Sequence, residues 1–92
     1  MDLSNDEIHE LAKQAVEAMA IQLPPASTFP FDLVWQYAKG AEAIPSERKS
    51  DKWRRLVKDG YIELTGGMTR AVSDARAGSS TREYRFGPRF QS

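Results

Sequence analysis

Arg48, Lys52 and Arg55 stand four and three residues apart. If the segment is helical, each residue turns by about 100°, and the three side chains fall within about 60° of one another. Cations at that spacing can neutralise the phosphates of a polyanion, or pair with carboxylates. Asp51 and Lys58 flank the stripe. The plain alternative is a solvated face: Asp51 and Arg55, at i and i+4, attract each other, while Glu47 and Asp51 weaken any anion-binding role.

The whole chain of 92 residues is neutral, but its charge is unevenly placed. Residues 1–45 hold two basic and seven acidic residues, a net of −5; residues 46–92 hold eleven basic and six acidic, a net of +5. Such asymmetry points to a polyanion-binding half, or to two halves that attract each other.

Other chemistries find little support. There is no cysteine and a single histidine, His9, so neither a disulfide nor a zinc site is expected. Next to Ile8 and Glu10, His9 is expected at the surface, with no partner for a catalytic dyad. The chain has no G-x-x-x-x-G-K-[ST], G-x-S-x-G or H-E-x-x-H motif, and Glu42, Glu63 and Asp74 are scattered. No enzyme activity and no cofactor are expected of this chain alone. With no apolar run near the ~20 residues of a membrane span and an acidic start, a cytoplasmic location without membrane contact is expected.

The elements that must carry the basic stripe follow from periodicity. Ser4 and Glu7 have capping-box spacing, and Ile8, Leu11, Ala12, Ala15, Val16 and Met19 form one apolar stripe of a first helix. Pro24 and Pro25 end it. A short extended piece at Ser27–Phe29 leads to a second helix with Phe31, Val34, Trp35 and Ala38 on one face and Gly40 as its stop. Ile44 points inward from a turn. A third helix is expected from Ser46 to Gly60, with Trp53, Leu56 and Val57 buried. Both tryptophans have apolar neighbours at helical spacing and read as core rather than as base-stacking residues. "YIELT" then alternates, with Ile62 and Leu64 on one face and Tyr61, Glu63 and Thr65 on the other. "TREYRFG" does the same, with Tyr84 and Phe86 inward. Gly66–Gly67 open a long polar connection, and residues 88–92 read as a tail. The whole is a single domain over 1–92, with an ordered core of about 5–87.

The run "WRRLVKDGYIELTGG" joins a helix to a strand through Leu56, Gly60, Tyr61 and Ile62. With the order of elements, this Leu-x-x-x-Gly-hydrophobic-Ile step resembles the winged helix-turn-helix superfamily over residues 5–87. "TGGMTRAVSDARAGSSTREYRF" is similar to the wing of small winged-helix proteins of actinobacteria and their phages, although Gly67 stands where that pattern has an aromatic residue. The resemblance implies an α+β fold of three helices and a two-stranded β wing, with a short extra strand before the second helix. It also implies double-stranded DNA binding, as a small transcription regulator or as the DNA-binding module of a larger system. The third helix would enter the major groove with Arg48, Lys52 and Arg55, where arginine can donate two hydrogen bonds to guanine. Lys58 lies beside them, and Ser46 is a phosphate donor. Arg70, Arg76 and Arg82 of the wing would meet phosphates or the minor groove. Arg54, about 100° from Trp53, is read as packing or pairing beside the core. Winged helices also serve as protein-interaction modules, so a protein partner without DNA, or a homodimer through the Ala-rich first helix, is the competing expectation.

Overall fold

The computed structural model describes residues 3–72 and 78–90. The fold is α+β. Helix α1 (Asn5–Gln22) is followed by strand β1 (Thr28–Pro30), helix α2 (Phe31–Gln36), a 3-10 turn (Ala41–Ala43) and two short helices, α3 (Ser46–Lys49) and α4 (Trp53–Lys58). Strands β2 (Ile62–Arg70) and β3 (Ser80–Phe86) form a hairpin, and a 3-10 turn (Pro88–Phe90) follows. The sheet has three antiparallel strands in the order β1-β3-β2. The extended piece before α2 is therefore a true third strand.

Helix α1 starts where its capping box places it. Ser4 Oγ accepts from Glu7 N at 3.1 Å, and Ser4 N donates to Glu7 Oε1 at 2.9 Å. These bonds hold the Glu7 carboxyl below its usual range. Ile8, Ala12, Ala15, Val16 and Met19 are buried against α2 and α4. Ala12 and Ala15 thus face the core of their own chain. His9 departs from expectation: it is 2% exposed, and its Nε2 bonds Asp59 Oδ2 at 2.9 Å. The buried stripe is centred on Ala12 and Val16, and on a helix His9 lies only about 60° from Ala12 while Leu11 lies about 100° away. The end of α4 covers the His9 side, and Leu11 is the residue left half-exposed.

The sheet packs its inner face on the helices. Phe29 meets Phe86 at 5.2 Å between ring centroids, and Phe31 and Trp53 each meet Tyr84 at 6.0 Å. Tyr84 and Phe86 point inward and Arg85 outward, as their alternation predicts. The β2 pattern is different. Ile62 is buried, but Leu64 is exposed and Tyr61 is buried. Tyr61 precedes the strand, so strand alternation does not govern it, and the C-terminal turn covers its ring through Phe90 at 5.9 Å.

Gly66 and Gly67 do not open the loop. Leu64 pairs with Tyr84 and Met68 with Arg82, so β2 spends four residues where β3 spends two. The two extra residues make a bulge. Gly66, at φ +88°, supplies the left-handed conformation, and Thr65 Oγ1 donates to Glu83 Oε1 at 2.7 Å and accepts from Gly67 N at 3.1 Å. Pairing resumes and runs to Arg70 opposite Ser80, which shortens the expected connection.

The expected tail is also ordered through Phe90. Gly87 N donates to Tyr61 O and Arg89 N to Gly60 O, both at 2.9 Å. At Gly87 a Cβ would lie 2.4 Å from Gly60 O, so only glycine fits where the chain end crosses the α4–β2 turn.

Candidate nucleic-acid interface

The expected third helix is broken. Ser46–Lys49 and Trp53–Lys58 are α-helical, and between them Lys52 N donates to Lys49 O at 3.2 Å and Arg54 N to Asp51 O at 3.3 Å. These are i to i+3 bonds, a 3-10 tightening of the path. Ser50 and Lys52 keep right-handed helical angles, so the segment continues in one direction with an altered phase. No side-chain cap anchors either short helix.

That phase decides where the cations go. Leu56 is the fully buried residue of α4, whereas Trp53 and Val57 are half-buried at the edge of the core, Trp53 against Tyr84 of the hairpin. The direction opposite Leu56 is therefore occupied by Arg54 and Lys58, both exposed, with Glu47, Ser50 and Asp51 exposed before them. Arg48, Lys52 and Arg55 do stay together, but they turn toward the first turn of α1. Arg48 Nη2 donates to Asn5 Oδ1 at 3.3 Å, Lys52 Nζ to the same oxygen at 3.4 Å, and Arg55 Nη1 to Asp6 Oδ1 at 2.9 Å. The Lys52 side chain is only 13% exposed. The expectation that this stripe faces away from the rest of the molecule placed the core under Trp53 and Val57 as well as under Leu56.

The hairpin arginines follow the sheet. Arg82 shares a face of β3 with Tyr84 and Phe86, because side chains alternate with a period of two. Beyond the core this face looks toward α4, and the Arg82 guanidinium lies 4.9 Å from the centroid of Trp53. Arg54 reaches the same ring from α4, at 5.4 Å. Arg70, opposite Ser80, is exposed near the end of the hairpin. Arg76 lies outside the described residues. Arg54 thus packs on Trp53, as its expected place beside the core implied, while the residue stays exposed.

Between α2, the α3–α4 segment and the hairpin is a cavity of about 380 Å³. Trp35, Trp53 and Tyr84 give it aromatic surface, and Ser46 stands at its edge. Lys49 lies over Trp35 at 5.8 Å and donates to Ala41 O at 3.3 Å. Burial raises the pKa of the Tyr84 phenol, which stays protonated well beyond neutral pH. Asp32, from α2, accepts from Val72 N at 3.0 Å and so ties the start of the hairpin loop to the helices.

The far end of α4 is fixed separately. The hydrogen bond from His9 Nε2 holds the Asp59 carboxyl below its usual range, with nearby Arg55 and Lys13 adding to the effect. His9 Nδ1 is buried without a hydrogen-bond partner. Among the described residues there is no group of three His, Cys, Asp or Glu side chains placed to hold a metal ion, and no helix is long and apolar enough to cross a membrane. Comparison of the chain with protein-family models, with curated proteins and with solved structures gave no match.

Proposed function

We propose that this chain binds double-stranded DNA as a winged helix domain, with the α3–α4 segment in the major groove and the β2–β3 hairpin as the wing. The observation that carries the reading is the meeting of Arg54 and Arg82 on Trp53, at 5.4 and 4.9 Å. One arginine comes from the helical segment and one from the hairpin, so the two elements share a single cationic surface. The step through Leu56, Gly60, Tyr61 and Ile62 and the strand order β1-β3-β2 are compatible with the same reading.

Within it, Arg54 and Lys58 stand on the outer side of the helical segment, and Arg70 and Arg82 line the hairpin. In this reading Arg54, Lys58, Arg70 and Arg82 would each meet a phosphate. Arg48, Lys52 and Arg55 form a second line, which must release Asn5 and Asp6 to reach a phosphate. The Arg55–Asp6 pair is half-exposed at both members or more, so breaking it costs under about 1 kcal/mol.

Fluorescence anisotropy with a labelled random-sequence duplex tests the reading. Four phosphate contacts would weaken binding by about a hundredfold between 50 and 200 mM salt. A folded chain that ignores duplex DNA at both salt concentrations removes the proposal and leaves a protein partner as the function of the fold.

A further inference from the structure

We infer that the cavity between α2, the α3–α4 segment and the hairpin binds one nucleotide, a base together with its phosphate. The walls combine two properties that few ligands satisfy together. The half-buried rings of Trp35 and Trp53, backed by the buried Tyr84, give aromatic surface to a volume of about 380 Å³, within the ordinary range for small-molecule sites. Lys49 and Arg82 stand over the two indoles, and the hydroxyls of Ser46, Ser50 and Thr81 lie on the same lining.

An aliphatic ligand would bring the two cations no counter-charge. An inorganic anion would leave the aromatic surface unfilled. A nucleotide fills both roles, its base on the rings and its phosphate between Lys49, Arg82 and the hydroxyls. Bases paired within a duplex are not presented in this way, so the occupant is either a free nucleotide or an unstacked residue of a single strand. Arg82 is shared with the proposed duplex surface, but Lys49, Ser50 and Trp35 are not, so nucleotide binding at the cavity can fail while duplex binding holds.

Both tryptophans of the chain line the cavity, so the two indole N–H resonances of the ¹⁵N-labelled protein report on it directly. The probes are deoxyadenosine monophosphate, thymidine monophosphate, inorganic phosphate and a short single-stranded oligo-dA. Deoxyadenosine monophosphate should shift both indole signals saturably, with a midpoint below about 1 mM. Ser50→Leu, which places an apolar side chain at the mouth from an exposed position, and Lys49→Gln should each weaken this by at least about fivefold, a change of roughly 1 kcal/mol at each site. Saturation by oligo-dA alone would assign the site to single strands; saturation by the free nucleotide as well would assign it to nucleotides in general. Equal affinity for thymidine monophosphate would make the site one for any base, since every base has a face to stack. Overturning results are no saturable shift with either deoxyadenosine probe, the same shifts with inorganic phosphate, or unchanged binding in folded Ser50→Leu.

Discussion

Two groups of cations sit on neighbouring sides of the α3–α4 segment and meet different partners. Arg48, Lys52 and Arg55 meet Asn5 and Asp6, a side-chain amide and a carboxylate at the start of α1. Arg54 and Arg82 meet the face of Trp53. The difference lies in what each partner does to the charge. The Asp6 carboxylate neutralises Arg55 and competes with phosphate for it, while the Asn5 amide ties down Arg48 and Lys52 without changing their charge. An indole face orients a guanidinium while leaving its charge and its in-plane N–H groups for a third party. Counting basic residues along the chain treats the two groups alike; their surroundings separate them.

The largest expected effect comes from the residue that holds helix and hairpin together. Gly87→Ala drives a Cβ to 2.4 Å from Gly60 O, and should destabilise the domain by about 3 kcal/mol or more in chemical denaturation. It should also abolish whatever depends on Arg54 and Arg82 acting together. A variant that unfolds at the same denaturant concentration as the parent would show that the α4–β2 turn and the chain end are not locked.

Next is the anchor of the other group. Ser4→Ala removes the hydroxyl that caps the turn carrying Asn5 and Asp6, and should cost about 1 kcal/mol by the same measurement. An unchanged midpoint would show that this turn is held without its cap.

Smaller still is the tie between α1 and the end of α4. The Asp59 carboxyl ordinarily titrates at 3.8 and is depressed in the folded chain by its bond to His9. The contact therefore stabilises the fold above that ordinary value and is lost as pH falls through the depressed one. Because Asp59 is partly exposed, Asp59→Asn should cost less than about 1 kcal/mol at neutral pH. As pH falls below 3.8 the difference between parent and variant should shrink, and it should vanish below the depressed value. Curves of stability against pH that stay parallel into acid would remove this linkage.

The smallest effect sharpens the comparison from the opposite side. Asp6→Asn takes the carboxylate from Arg55, and duplex affinity should rise by no more than a few-fold, as befits an exposed pair. A fall in affinity would mean that Asp6 positions Arg55 rather than occupying it.

Much of this arrangement was readable from local pattern. Ser4 and Glu7 form the expected capping box, and Tyr84 and Phe86 alternate inward; α2, in contrast, ends at Gln36 with Tyr37 as its C-cap, and the left-handed Gly40 instead opens the 3-10 turn that follows. The capping box and the alternation depend on neighbours within four residues. What was not readable depends on distant contacts. The 3-10 step at Lys49–Arg54 shifts the phase of the cations by an amount no regular helical wheel contains. The bulge at Thr65–Gly67 depends on Glu83 from the other strand. The burial of His9 and Tyr61 depends on Asp59 and on Phe90, which meet them only in the folded chain. For the candidate interface, the basic residues of the C-terminal half were visible as a set, but the division between those facing α1 and those facing the hairpin was not.

The most direct test of the account is the salt dependence of duplex binding in three forms of the protein: parent, Arg54→Gln/Arg82→Gln and Arg48→Gln/Arg55→Gln. Each lost phosphate contact should make the plot of log affinity against log salt shallower by about 1. The account predicts a slope shallower by about two in the Arg54/Arg82 variant, and a slope near the parent's in the Arg48/Arg55 variant. The reverse order, or three identical slopes, would contradict it.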